Sequence, residues 1–141
     1  MKRLSALFAI LAVMLVASMV SGEVKDFESF TVEVPDNWTA MPDGTTVDII
    51  KDDNTALVSI TVESMEGISL KELAEAYAEG MNASNITPDG DSYTFEAENP
   101  NGVSMKCFLS GDGTNYALIV VTGLENAADE VSAIVDSLQE K

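Results

Sequence analysis

The sequence predicts an α+β domain in which helices cover an antiparallel sheet. Two patterns point there. Several short runs alternate apolar with polar residues and are joined by turn-rich connections, and two longer segments repeat their apolar residues at spacings of three and four. The resulting order is βββ-α-βββ-α, with hairpins in the places where a parallel sheet would need crossovers.

The first strand is Ser29–Val34, where Phe30, Val32 and Val34 alternate with Thr31 and Glu33. Pro35 closes it, and Asp36-Asn37 turns the chain into Trp38. Met41-Pro42-Asp43-Gly44 reads as a second turn, from its proline and its Asp-Gly pair. Thr45–Lys51 and Thr55–Ser64 follow as a hairpin around Asp52-Asp53-Asn54, with Ala56, Val58, Ile60 and Val62 sharing one face. Ser69 begins a helix, and Glu72 three residues later completes a capping box. Leu70, Leu73, Ala74, Tyr77 and Met81 give that helix one apolar stripe, and Gly80 and Asn82 weaken its end.

Asn85–Ser92 reads as a polar connection containing Pro88 and Gly90. A meander of three strands comes next: Tyr93–Glu98, then Val103–Ser110, then Asn115–Thr122. Asp112-Gly113 marks the second hairpin turn. Ala117–Val121 is the most continuous apolar run, which makes its strand the natural centre of the sheet. A last helix, about Asn126–Glu140, places Val131, Ile134, Val135 and Leu138 on one side.

Phe27, followed by Phe30-Thr31-Val32-Glu33-Val34-Pro35-Asp36-Asn37-Trp38, resembles the opening of the PsbP-like superfamily, an aromatic-led strand closing on a Pro-x-x-Trp turn. Ser69-Leu70-Lys71-Glu72-Leu73 is similar to the start of that family's helix. The family's usual glycine before the tryptophan is Asn37 here, and asparagine also accepts turn conformations. The resemblance spans about Phe27 to Leu138. It implies a three-layer α/β/α fold and an accessory or binding role without catalysis. It transfers no site residue, because the metal ligands of photosynthetic members include histidine and this chain has none.

Residues 1–22 read as a secretory signal. Met1-Lys2-Arg3 is a basic start, Leu4 to Val20 is an apolar run broken only by Ser5 and Ser18, and Ser21-Gly22 is a small-residue exit. A retained membrane anchor is the alternative, although a span needs about 20 apolar residues and this run falls just short. Removal of residues 1–22 from the 141 leaves one domain, residues 23–141. Lys2 and Arg3 leave with the signal while all 24 acids remain, so the net charge moves from −17 to −19. A chain this acidic repels phosphate backbones and anionic headgroups, which excludes nucleic acid and direct membrane-surface binding. A partner with a basic face is favoured. With one cysteine no internal disulfide can form, so the domain must hold through its core.

The absence of histidine closes imidazole-assisted nucleophiles, histidine metal sites and histidine pH switching together. Cys107 has only Lys106 as a basic neighbour, on the opposite face of its strand, and so reads as a buried structural thiol. The acidic clusters Asp52-Asp53, Asp89-Gly90-Asp91, Asp112 and Glu125/Asp129/Glu130 offer oxygens that suit calcium, yet none has the twelve-residue spacing of a calcium loop. Trp38 reads as a lid over the sheet edge, with an exposed partner anchor as the alternative. No catalytic, cofactor or metal residue is assigned, and no cofactor is expected. The sequence therefore points to an exported, non-enzymatic binding or accessory module in the cell envelope, periplasmic or extracellular. A calcium-dependent binding protein is the first alternative and a small carboxylate-based hydrolase the second. The mature chain is predicted to begin at Glu23. Intact-mass measurement of exported protein checks this, and a retained apolar segment would overturn it.

Overall fold

A computed structural model of the chain describes residues 22–140, so the segment read as an export signal lies outside the described residues except for Gly22. The elements run β1 (Gly22–Asp26), β2 (Phe30–Pro35), β3 (Trp38–Asp43), β4 (Thr46–Lys51), β5 (Leu57–Ser64), α1 (Leu70–Gly80), β6 (Ser84–Asp89), β7 (Ser92–Glu98), β8 (Ser104–Gly111), β9 (Asn115–Thr122), α2 (Ala128–Ser137) and β10 (Gln139–Glu140). Seven strands form one antiparallel sheet in the order β3-β4-β5-β9-β8-β7-β6. The other three form a small sheet in the order β1-β2-β10.

The protein is thus mostly β, which corrects the expected α+β, three-layer α/β/α arrangement and its βββ-α-βββ-α order. Four segments read as connections or helix are strands. Residues 22–26, ahead of the first expected strand, pair along β2, from Gly22 opposite Pro35 to Asp26 opposite Thr31. The proposed Pro42 turn is the second half of edge strand β3, and the hydrogen-bond alternation explains why proline fits there. Asp52 N–H donates to Asn37 O, so Asn37, Thr39, Met41 and Asp43 aim their backbone groups at β4, and Pro42 faces outward where no donor is required. The polar stretch at 85–92 supplies the other edge, β6, which is bulged between Ser84 and Thr87. The end of the last predicted helix is instead β10, which pairs with β2.

β9 is the middle strand, as its apolar run anticipates, and it serves two cores. Ala117, Ile119 and Val121 join Val47, Ile49, Val58 and Ile60 on one face. There they pack under Phe30, Val32 and Val34 of β2 and under Val131, Ile134 and Leu138 around α2. Tyr116, Leu118 and Val120 belong to the other core, with Phe95, Cys107 and Leu109 under Ala74 and Ala78 of α1. The two covers are offset: β2 and α2 lie over the β3–β5 half, and α1 lies over the β6–β8 half on the opposite face.

Local chemistry sets both helices. The Ser69 capping box is present: Glu72 N–H donates to Ser69 Oγ at 3.1 Å, and Ser69 N–H donates to Glu72 Oε1 at 3.2 Å. α2 has no such cap and enters through Gly123, at φ +75°, and a short 3-10 turn over Leu124–Asn126. A Cβ at Gly123 would stand 2.1 Å from the Thr55 carbonyl oxygen, which Asn126 Nδ2 holds in place at 3.0 Å. Gly123→Ala combines a left-handed backbone with a collision against main chain, and a loss of about 2 kcal/mol or more is expected. Thermal unfolding of the variant checks this, and an unchanged midpoint would contradict it.

Candidate functional site

The offset of the covers leaves one half of each sheet face open. On the α1 side, strand alternation brings Thr39, Met41 and Asp43 of β3 to the surface with Thr46, Asp48 and Ile50 of β4. Leu57, Ser59, Thr61 and Glu63 of β5 complete the surface. Register ties these residues into rows across the sheet. Ile50 stands beside Leu57, Leu57 beside Thr122, Thr122 beside Met105 and Met105 beside Ala97. That row starts on the open half and ends in a depression of about 720 Å³ beneath the C-terminal end of α1, lined also by Met81, Glu96 and Glu98. The next row, Met41-Asp48-Ser59-Val120, passes under α1 at Cys107 and Phe95. Met41 is 54 % exposed, whereas Cys107 and Phe95 are buried.

The charge on this half-face has one sign. Asp43, Asp48 and Glu63 lie on it, and β3, β4 and β5 present no lysine or arginine there. Lys51 belongs to the opposite face and pairs with Asp53 at 3.6 Å. Lys106, opposite Glu96 on β7, also lies on the other side of the sheet.

A hydrogen-bonded chain closes the boundary with α1. Tyr116 O–H donates to Glu63 Oε1 at 3.0 Å, so Tyr77, whose oxygen is 2.7 Å away, supplies the proton shared with Tyr116. Thr45 Oγ1 donates to the second oxygen of Glu63. Burial, the Tyr77 hydroxyl and the Glu63 carboxylate all push the Tyr116 phenol above its ordinary range, so it remains a neutral donor. The two rings stand 6.1 Å apart and tilted, fixing the side of α1 that faces the open half.

Local chemistry accounts for Asp52, Asp53, Asp112, Asp129 and Glu130 among the acids weighed as calcium ligands. Asp53 accepts from Thr55 Oγ1 at 2.6 Å and from Thr55 N–H at 3.1 Å, and these bonds hold its carboxyl below the usual range. Burial works against ionisation of Asp112, but the backbone N–H groups of Asn115 and Thr114 outweigh it and hold that carboxyl low. Asp52 accepts from Thr39 Oγ1 at 3.0 Å. Asp129 and Glu130 sit in the first turn of α2, where negative charge complements the helix dipole. Among the described residues no group of three or more His, Cys, Asp or Glu side chains is arranged to hold a metal ion. Trp38 is buried in the core with its indole N–H unpartnered among the described residues, the placement of a lid. Sequence reading missed the open half-face. Its signal was present, in Ile50 and Leu57 standing on the polar phase of strands whose other phase carries Val47, Ile49, Val58, Ile60 and Val62.

No protein-family model matches the sequence, and no curated protein does. A solved structure from Bacteroides thetaiotaomicron VPI-5482 shares the fold at a TM-score of 0.57 and 15 % identity, covering 87 % of this chain. This chain spans 49 % of that one, and at such identity the likeness concerns the fold alone. Among the described residues no helix is long and apolar enough to cross a membrane.

Cys107 is fully buried, and burial pushes its thiol from 9.0 up to about 11. Native protein is expected to resist thiol reagents at pH 8 and to label fully once denatured; fast native labelling would refute this. The raised pKa also has a sign for stability. The contribution is complete below the pKa of the unfolded thiol and is lost as pH rises from 9 toward 11. Denaturant midpoints should therefore fall more steeply over that interval than they do in Cys107→Ala.

Proposed function

We propose that this protein is an exported, non-enzymatic binding or accessory module that acts through a protein partner with a basic face, in the periplasm or outside the cell. One observation carries the reading: the open half of the sheet sets Met41, Ile50 and Leu57 among Asp43, Asp48 and Glu63 with no cation from its strands. An apolar cluster on the open half of a sheet face is a contact surface in waiting. Its acidic surround selects a cationic counterpart, where charge complementarity acts mainly on the association rate.

Two further features support the same reading. The lack of histidine and the buried, protonated thiol remove the usual acid–base and covalent routes to turnover. The opening strand resembles the PsbP-like superfamily, whose members act mostly as accessory modules, although the three-layer fold of that family does not carry over.

Immobilised mature protein exposed to native envelope extract is expected to retain a basic partner whose association slows about tenfold or more between 50 and 500 mM salt. Retention insensitive to salt would count against the basic face. An activity abolished by changing one pair of carboxylates would end the binding-module reading.

A further inference from the structure

The two open half-faces differ in kind. On the side of β2 and α2, the uncovered part over β7 carries Thr94, Glu96 and Glu98, an ordinary solvated surface. On the α1 side, the uncovered part over β3–β5 carries an aliphatic pair, Ile50 beside Leu57, with Met41 one row away. Only the second has the composition of a docking floor.

We propose that its occupant is a cationic amphipathic α-helix of another protein, laid beside α1 on the same face of the sheet. This rests on the binding reading above and names the partner element. Size is the first argument. Neighbouring strands lie about 4.8 Å apart, so β3 to β9 spans about 14 Å. One helix with its side chains, about 10–12 Å across, fills that width. α1 shows how a helix seats on this face, with Ala74 and Ala78 turned to the sheet and an apolar stripe at helical spacing. A second helix at the usual separation of about 8–10 Å would rest against the Tyr77 side of α1 and cover Ile50 and Leu57.

Chemistry makes the second argument. The apolar floor is narrow and flanked by Asp43, Asp48 and Glu63, which matches a helix with a narrow leucine-type stripe between lysines or arginines. An added strand is a poorer occupant. Pro42 removes an outward donor from the exposed edge of β3, and the other edge, β6, has Pro88 and a bulge. A second copy of this chain is poorer still, since it would bring the same acidic surface and a like charge of −17, or −19 without its first 22 residues.

The test uses isotopically labelled mature protein and two peptides of identical leucine and lysine content. One has leucines at helical spacing, and the other alternates leucine with lysine. The helical peptide is expected to bind at least ten times more tightly, with amide shifts centred on Met41, Asp48, Ile50 and Leu57. Asp48→Lys should weaken it about tenfold, as should Leu57→Ser, while Thr94→Lys on the opposite face leaves it within twofold. The thermal midpoint of each variant shows that it is folded, and Asp48→Lys keeps the test independent of any packing loss at Leu57. Equal binding of both peptides would overturn the helix and leave the binding reading standing. Shifts confined to another surface, or a dimer closing over this face, would overturn the assignment in the same way. Failure of both peptides overturns the helix alone if the extract still yields a salt-sensitive basic partner, and overturns both readings if it yields none.

Discussion

Both cores of this protein share a single strand. β9 has no solvated phase: Ala117, Ile119 and Val121 fill one face and Tyr116, Leu118 and Val120 the other. At about 25 cal/mol per Å² of apolar surface removed from water, two-sided burial makes each position on this strand count toward one core or the other. With one cysteine and no disulfide, nothing covalent holds the halves together, so their packing across β9 must. The pairing of β9 with β5 on one side and β8 on the other joins the β3–β5 half to the β6–β8 half.

The offset of the covers follows from which strands reach each face with apolar residues. β4 and β5 offer Val47, Ile49, Val58 and Ile60 to one side, and β7 and β8 offer Phe95, Cys107 and Leu109 to the other. A cover sits where the apolar phase is dense, and each half-sheet has one dense phase. On β8 the remaining phase is still partly covered, with Phe108 packed against the first core and Ser110 buried, whereas on β7 and on β3 to β5 it is open. On β7 that phase is polar, as the pattern requires, while on β4 and β5 it retains Ile50 and Leu57. That departure from the pattern distinguishes the two open surfaces.

Much of the element list was legible in the sequence, because period-two alternation and the Ser69–Glu72 capping box are local signals. The limits of β9 and the start of α1 follow from them directly. The missed strands share one cause. β1, β3, β6 and β10 are edge or short strands, which need no apolar phase of their own and tolerate proline, so they look like loops until a partner is known. Missing them hid the small sheet, and with it the fact that one cover is largely β. The candidate surface was out of reach for a related reason. Ile50 and Leu57 lie on opposite sides of a hairpin, and only the register and the position of α1 show that they stand together, half-buried, on the half-face beside α1.

The arrangement of β9 also bears on how the protein comes to be folded. Its partner β5 lies about half the chain away, with α1 and three strands between them. The closure that creates both cores therefore waits for a contact of high sequence separation, and such topologies fold slowly because chain entropy is lost before packing repays it. Until β9 has emerged, the β3–β5 half lacks its neighbour and the β6–β8 half is incomplete. A polypeptide that lingers in this open condition exposes both unfinished cores, and with them unpaired strand edges, to other chains for longer.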